Sequence, residues 1–439
     1  MRDIYHHLKG SDGQVHVQAI TDPFTQAEVT NDDSSYALAI RGCVGDNNQL
    51  EKVTLQINSA LLVNVFREVI GTYPNLPANF SSPFTLESPF HILLHHWVDL
   101  DLCRQATENH DEQQHLNLLF DFMNRQFSPE RERMPAMTSQ NQISFSNAWI
   151  IFRPGDLVYR EYMGHPWLLM CQKTTYEENE RDGKFLEVHC TYTDIDGVEV
   201  GEARTVITIY QKESFGADNL AVITDLPVYP RRYFKEKFNP EEITLEDRLF
   251  ERGLALLRFP NGFVQAYNGQ AQYLHEPATG HQAPHTVNSP VWVPYTEQGR
   301  IILDPKTFQE DHYWSSVRVQ AHEDPDPELC PPYMVGFSLS RKEWCRFFID
   351  NLRAVNWQEN PWESLILPEC EGGVLRSLVT RHKFPEDARD QMRQKGRGLV
   401  ILLHGTSGSG KTFTAETAAE GTKKALIMIW LEELVEKYR

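Results

Sequence analysis

The pattern of hydrophobic and polar residues begins with a polar stretch and then becomes regular. Residues 1–50 are rich in Asp, Asn and Gly and contain one apolar run at 36–40, which predicts a weakly ordered lead-in. From position 53 to 57 apolar residues alternate with polar ones, and between 61 and 69 they recur at helical spacing. The region 51–143 is therefore predicted to open with a strand followed by an amphipathic helix.

A second helical stretch completes this region. Residues 90–127 keep the three-and-four spacing of a helix, with an interruption near Asn109 and His110. Pro129 follows, and a proline inside a helix removes a hydrogen bond and clashes with the preceding turn. We predict that the helical stretch ends before Pro129 and that its apolar stripe faces a core.

The middle of the chain changes to short apolar runs that are separated by turn residues. Residues 144–273 have this pattern, and the dipeptides at 182–183 and 196–197, both Asp-Gly, favour tight hairpin turns. We therefore predict a β-rich domain of unknown function over 144–273. Its predicted strands lie at 149–152, 157–159, 167–171, 185–192 and 203–210.

Two less regular regions follow. Residues 274–335 carry many Pro, His, Gly and Asp, with one strand-like run at 300–303, and are predicted to form a long loop region. Residues 336–395 regain helical spacing at 341–352 and at 372–382. They are predicted to form a helical linker.

A continuous apolar run introduces the last region, residues 396–439. Residues 399–404 read Leu-Val-Ile-Leu-Leu-His, which is typical of a strand covered on both faces of a parallel sheet. A glycine-rich loop follows at 405–412, and the alanine-rich stretch at 413–420 favours a helix. Strand, loop and helix occur in the order that a phosphate-binding P-loop requires.

Each residue type in this loop suits phosphate binding. Glycines let the backbone turn successive N–H groups inward, and the N-terminus of the next helix adds partial positive charge. Lys411 is placed to reach the β- and γ-phosphates, and the Thr412 hydroxyl can bind a bridging Mg²⁺. The alternative is a chance glycine-rich turn. The predicted site for ATP consists of Gly405, Thr406, Ser407, Gly408, Ser409, Gly410, Lys411 and Thr412, with Thr412 as the metal ligand.

These residues carry a family resemblance. Residues 395–405, the loop and Thr414-Ala415-Glu416 resemble the opening of an AAA-type ATPase domain, in particular that of large fungal ATPases with an uncharacterised domain ahead of the ATPase. The resemblance extends over most of the chain, from about residue 53 to 426. Upstream stretches similar to that family lie at 151–159, 335–339, 365–369 and 378–379.

The resemblance implies both a fold and a function. The fold is an α+β N-terminal part with a β-rich middle domain, followed by the start of an α/β P-loop domain of AAA type. Lys411 and Thr412 take the Walker A roles of binding phosphate and Mg²⁺, and full-length relatives hydrolyse ATP as oligomers. The acidic strand, sensor residue, arginine finger and lid of such a domain do not fit in residues 413–439. We therefore expect an incomplete core that binds ATP, and we assign no catalytic residue.

Two functions remain open on these observations. The first is an AAA-type ATPase in which the β-rich region engages a protein partner or substrate. The second is a non-catalytic interaction protein in which a nucleotide is a structural ligand or is absent. A kinase-like phosphotransferase shares the P-loop, but it needs an acceptor site and lid residues that the sequence does not reveal.

Composition narrows the compartment and the partners. The 439 residues suggest two or three domains, and 41% hydrophobic with 23% charged residues is typical of a soluble globular protein. A formal net charge of −19 argues against a nucleic-acid partner, since phosphate contacts need clustered Lys and Arg. Seven cysteines without a C-x-x-C pair favour a reducing compartment. Without a signal peptide or a membrane-spanning run, we expect an intracellular protein of the cytoplasm or nucleus.

Weaker signals favour structural roles. His91, His95 and His96 have a spacing that metal ligands use, but no Glu or Cys nearby completes a set, so a helix face is favoured. The dipeptide at 196–197 is preceded by Asp194 in a pattern that faintly resembles a calcium loop, yet its later ligands are missing and a turn is favoured. Buried, unreactive thiols are expected for Cys171, Cys190, Cys330 and Cys345.

Overall fold

The computed structural model divides into two compact units. The first comprises Met1–Tyr192 and Arg204–Pro240, and the second comprises Thr193–Ala203 and Glu241–Arg439. Helices and mainly antiparallel sheets occur in both, so the architecture is α+β. The structure describes residues 2–8, 15–18, 36–44, 50–73, 76, 80, 83–216, 219–235, 243–259, 261–275, 291–312, 316–367, 369–381 and 399–430.

The first unit opens with a five-stranded sheet. Its strands are β1 (Arg2–Leu8), β2 (Val15–Gln18), β3 (Leu38–Val44), β4 (Leu50–Ile57) and β5 (Phe84–Glu87). They lie in the order β2-β1-β3-β4-β5, with β1 and β3 parallel and the other neighbours antiparallel. The predicted alternation in β4 places Leu55 and Ile57 in the core.

The prediction of a weakly ordered lead-in over 1–50 is wrong for β3. Leu38 and Ala39 are completely buried, and Leu38 faces Ile57 in the ladder with β4. The short apolar run supplies a core strand because its partner lies just downstream. The predicted helix then follows as α1 (Ala60–Val69), capped by Ser59, whose Oγ accepts a hydrogen bond from the Leu62 N–H.

The helical stretch consists of α2 (His91–His95), α3 (Trp97–Ala106) and α4 (His110–Ser139). The predicted interruption is the start of α4, where the Asn109 side chain accepts from the N–H groups of Asp111 and Glu112. The predicted end before Pro129 is wrong, because α4 continues to Ser139. An interior proline costs about 3 kcal/mol, which the buried apolar stripe of the same helix can offset. That stripe comprises Leu116, Leu119, Phe120, Phe122, Met123 and Phe127.

The β-rich region up to residue 235 forms another sheet, and most of its residues belong to the first unit. It contains β6 (Gln142–Ser144), β7 (Leu157–Tyr162), β8 (His165–Asn179), β9 (Gly183–Ile195), β10 (Val200–Tyr210), α5 (Gln211–Ser214), β11 (Leu220–Val222) and β12 (Tyr229–Pro230). Strands β12, β7, β8, β9 and β10 are neighbours in that order, and β6 pairs with β11. Both predicted Asp-Gly turns are present, between β8 and β9 and between β9 and β10.

Four of the five strands predicted in this region occur, and the fifth does not. Residues 149–152 were expected to be a strand, but they belong mostly to a 3-10 helix, Phe145–Ile151. Phe145, Ala148 and Trp149 are buried, and their spacing of three and four is helical. The run of large apolar residues concealed that period.

The second unit contains a sheet that closes on itself. Its elements are α6 (Leu245–Arg258), β13 (Phe263–His275), β14 (Val291–Leu303), α7 (Pro305–Asp311), β15 (Gln320–Ala321), β16 (Tyr333–Ser338), β17 (Glu343–Phe348), β18 (Leu352–Arg353), α8 (Glu369–Arg381) and α9 (Lys411–Thr422). The order is β14-β16-β17-β13-β18, and β13 also pairs with β14 along its whole length. Leu256 of α6 and Phe347 of β17 contribute to its core.

Two predictions for this unit are corrected. The region 274–335, which was predicted to be a long loop, contains β14 and α7. Strand β14 could not be recognised along most of its length because most of its residues are at least partly exposed and show no clear apolar alternation. The proposed helix at 341–352 is mainly β17, in which Cys345 and Phe347 point into the core with period two. The helix predicted at 372–382 does occur as α8.

Candidate functional site

The glycine-rich loop lies directly before α9, and its backbone requires glycine. Gly408 and Gly410 have φ values of 80° and 82°, in the left-handed region that other residues avoid. At Gly405, where φ is 157°, an added Cβ would lie 2.7 Å from Ser409 Oγ, so a larger residue would force the serine side chain to move. The three glycines therefore allow the chain to turn tightly into the helix.

The N-terminus of α9 has no side-chain cap. Gly410 is the N-cap residue, and the first main-chain bond of the helix runs from the Thr414 N–H to the Gly410 carbonyl, at 2.8 Å. The N–H groups of the first turn thus lack partners within the helix, and they carry the positive end of the helix dipole. Such an end is suited to bind an anion.

The Lys411 side chain folds back over the loop. Its Nζ donates to the carbonyl oxygens of Gly405 at 3.0 Å and Thr406 at 2.7 Å, and it lies 3.3 Å from Ser409 Oγ. An ammonium group has three donors, so these oxygens hold the charge beside the turn. The loop residues 405–410 are themselves exposed to solvent.

The threonines of α9 fall into two groups. Thr414 and Thr417 are buried, and their hydroxyls donate to the main-chain carbonyls of Gly410 and Phe413. Thr412 is exposed at the start of the helix, on the first turn with the free N–H groups. Its hydroxyl is therefore accessible to a ligand, whereas the hydroxyls of Thr414 and Thr417 serve the helix itself.

A cavity of about 650 Å³ lies beside the loop. Apolar residues of α8, including Leu375 and Leu378, form one wall, and Ile401, Lys411 and Thr414 contribute to the others. Small-molecule sites commonly have volumes of about 300 to 1,000 Å³ and mostly apolar walls with few polar groups. The space next to Lys411 is large enough for a nucleotide.

The apolar run before the loop differs from its prediction. Residues 399–404 form no β-ladder with any other described residue. The exposed fractions nevertheless alternate: Leu399, Ile401 and Leu403 are 37–38% exposed, whereas Val400 and Leu402 are 91% and 89% exposed. This period of two is typical of a strand with one face covered, and the ladder is missing because no described strand lies beside it.

A similar exposure occurs after α9. Ile427, Met428, Ile429 and Trp430 are between 42% and 69% exposed, and residues 424–430 form no strand with another described segment. The second apolar run of this region thus also forms no β-ladder within the part of the chain that the structure describes.

The loop lies outside the region that matches a known family model. Residues 133–235 match a domain of unknown function, DUF7025. The match covers the end of α4 and the elements from β6 to β12 and its following turn, and it contains none of the loop residues. No curated protein and no solved structure matches the chain. None of the described helices is long and apolar enough to cross a membrane.

The three histidines singled out by spacing pack inside the first unit. The His91 ring stacks on Trp149 with centroids 3.8 Å apart, and His95 lies between the Tyr73 hydroxyl, at 3.0 Å, and the Trp149 carbonyl, at 3.3 Å. Burial lowers the pKa of His91 to about 4 and that of His95 to about 3. No group of three or more metal-ligating side chains occurs among the described residues. The ring stacking of His91 and the hydrogen bonds of His95 are packing contacts within the first unit.

The remaining weak signals also have structural explanations. Asp196 forms the turn between β9 and β10, where its Oδ1 accepts from the N–H groups of Val198 and Glu199, both at 2.9 Å. The thiols of Cys171, Cys190, Cys330 and Cys345 are buried. Burial raises the pKa of each thiol, to about 12 for Cys190 and Cys345, so they are poor nucleophiles.

Sequence reasoning missed one group of residues that contacts α9. Glu420, near the end of the helix, pairs with Arg300 of β14, and Trp357 and Trp362 lie beside them. Arg300 and Glu420 are 120 positions apart, and neither belongs to a motif. Only the fold brings them together.

Proposed function

We propose that this chain binds a nucleoside triphosphate with Mg²⁺, most specifically ATP, through residues 405–412. One observation carries the proposal: an uncapped helix N-terminus follows left-handed glycines, with a lysine ammonium held on the same turn. An anion that bound there would meet free N–H groups, the positive end of a helix dipole and a full positive charge.

The residues would divide the ligand between them. The N–H groups of the loop and of the first turn of α9 would hold phosphate oxygens, and Lys411 would neutralise the β- and γ-phosphates. Because the Lys411 ammonium now binds loop oxygens, phosphate would compete with Gly405 and Thr406 for its donors. The exposed Thr412 hydroxyl would bind Mg²⁺, which joins the terminal phosphates when bound.

The AAA-type resemblance supports ATP over GTP as the bound nucleotide. We propose that residues 396–439 are the opening of an AAA-type core and that the region matching DUF7025 engages a protein partner or substrate. The proposal covers binding, and it assigns no residue to hydrolysis. An interaction protein without a nucleotide is the competing function.

Equilibrium titration of the full chain tests the proposal. Mg-ATP is titrated into the wild type, Lys411→Ala and Lys424→Ala, by calorimetry. Lys424→Ala is the matched control, since it removes the same charge from the opposite end of α9. We expect saturable binding, weakened at least about 30-fold by Lys411→Ala and unchanged by Lys424→Ala, since a charge-assisted contact to phosphate is lost. Absence of binding by the wild type supports the competing function.

A further inference from the structure

The far end of the P-loop helix α9 is fastened to the closed sheet of the second unit. Glu420 lies in the last turn of α9, and its carboxylate accepts hydrogen bonds from Arg300 of β14 and, at 3.0 Å, from the Gln358 N–H. Its side chain is 17% exposed, and the hydrogen bond from Arg300 lowers its pKa. The contact is therefore an ion pair partly removed from solvent, with an additional main-chain donor.

Arg300 is itself held in place. Its guanidinium lies over the Trp357 ring, 4.4 Å from the centroid, and its Nη2 donates to the Asn356 carbonyl at 3.4 Å. In the sheet it pairs with Ala266 of β13, and the next residue, Ile301, is completely buried. A stacked, hydrogen-bonded arginine on a paired strand transmits position better than a flexible surface charge.

A second contact fixes the same end of the helix. At Gly421 an added Cβ would lie 2.2 Å from Trp362 Nε1 and 2.8 Å from its Cε2. The Trp362 ring thus rests against the helix backbone, and only glycine permits this approach. Trp362 belongs to the short 3-10 helix Pro361–Ser364, which follows the Trp357 segment. The end of α9 is therefore confined by both a charge pair and a steric contact.

The two ends of α9 have different tasks. The helix has 12 residues, a length of about 18 Å, with the proposed phosphate site at its N-terminus and Glu420 near its C-terminus. A helix of this length moves largely as one body, so a shift at one end is felt at the other. If nucleotide binding displaces or stiffens α9, then the strand bearing Arg300 experiences the change.

We propose that Arg300 and Glu420 form a clamp that positions the P-loop helix and couples nucleotide binding to the closed sheet of β13, β14, β16 and β17. This inference rests on the proposed function and adds its regulation. Coupling between two sites is reciprocal. If nucleotide binding changes the contact of α9 with the sheet, then breaking that contact must change the affinity for nucleotide. Arg300 and Glu420 are positioning residues, and neither contacts the proposed phosphate site.

Two measurements on the full chain test the clamp. The first is the Kd for Mg-ATP of Arg300→Ala, Glu420→Ala and the double variant. We expect each to raise Kd about 5- to 30-fold, with no further rise in the double variant, because both remove the same link. Arg353→Ala is the matched control, since Arg353 is an exposed arginine on β18 of the same sheet. If an alanine variant does not fold, the Kd of Glu420→Gln is measured instead, because this variant keeps the shape of the side chain and removes only its charge.

The second measurement is amide hydrogen exchange at Gln358, whose N–H binds Glu420, with and without Mg-ATP. We expect Mg-ATP to slow this exchange in the wild type and to leave it unchanged in Glu420→Gln, while exchange at 408–413 slows in both. If Glu420 had a merely structural role, Mg-ATP would have the same effect on exchange at Gln358 in Glu420→Gln as in the wild type. Unchanged Kd values in the clamp variants overturn the coupling alone. Failure of the wild type to bind Mg-ATP overturns both the proposed function and the coupling.

Discussion

The loop segment 399–430 and the region matching DUF7025 differ in two respects: whether the sequence shows a recognisable functional pattern, and how well the apolar side chains are buried. The loop segment carries a glycine-rich pattern that predicts phosphate binding from its sequence alone, yet Val400 and Leu402 of its apolar run are almost fully exposed. The region at 133–235 has no motif with a known chemistry, yet Leu168, Leu169 and Leu186 of its sheet are completely buried. A motif depends on a few consecutive residues, whereas a core depends on partners that lie far apart in the chain.

The largest expected difference is in amide hydrogen exchange without nucleotide. Strand β8 pairs with both β7 and β9, whereas residues 399–404 form no ladder within the described chain. Local opening costs between about zero and the full stability of about 5 to 15 kcal/mol, so exchange rates should differ by at least about 1,000-fold. Comparable protection of 399–404 and 167–171 would show that the run is held by contacts that its exposure does not reveal.

Matched leucine truncations sharpen the same comparison. Leu168→Ala removes a completely buried side chain from β8 and should lower the free energy of unfolding by about 2 to 5 kcal/mol. Leu402→Ala removes a side chain that is 89% exposed and should change stability by less than about 0.5 kcal/mol. Urea unfolding of the two variants measures both values. A loss of several kcal/mol in Leu402→Ala would mean that this residue is buried in solution.

The backbone conformation of the loop could be predicted from the sequence because its requirements are local, whereas phosphate binding stays a prediction. Glycines, lysine and a helix-forming stretch are contiguous, and the structure has left-handed glycines followed by α9 as expected. The residues 399–404 alone could not establish a strand, because a β-strand must form hydrogen bonds with a neighbouring strand. The helix predicted at 341–352 was wrong because β17 buries Cys345 and Phe347, which are two positions apart as in a strand. The pairing of Arg300 with Glu420 has no local signature at all.

Acid should weaken the first unit through its buried histidines. His91 and His95 have pKa values lowered by burial to about 4 and about 3, so they bind protons more readily when the chain is unfolded. Stability is therefore complete above a pH of about 6.5 and falls as the pH drops below it, by up to about 1.4 kcal/mol per pH unit for each histidine.

Denaturation between pH 7 and 5, followed by tryptophan fluorescence, measures this slope. His91→Phe keeps a ring over Trp149 and removes one titrating group, so it should reduce the slope. An identical slope in His91→Phe and the wild type would contradict the assignment of this pH dependence to His91.

The smallest expected effect comes from alanine substitutions at two left-handed glycines. They distinguish the cost of backbone strain from an effect on nucleotide binding. Gly410 in the loop and Gly164 in the turn between β7 and β8 have φ values of 82° and 81°, and a Cβ added to either meets no atom within 4 Å. Alanine at each position should therefore cost a similar strain of about 1 to 2 kcal/mol. Gly410→Ala should weaken Mg-ATP binding about 10-fold, and Gly164→Ala should not affect it. Equal Kd values for the two variants would argue against a role of the loop conformation in binding.

If nucleotide binds at residues 405–412, then Mg-ATP must leave an exchange footprint on this loop. Amide exchange is mapped along the full chain for the wild type and for Lys411→Ala, with and without Mg-ATP. We predict slowed exchange at 405–413 in the wild type, because phosphate oxygens would accept from these N–H groups, and no slowing there in Lys411→Ala. Unchanged exchange at 405–413, or a footprint confined to residues 133–235, would contradict the account.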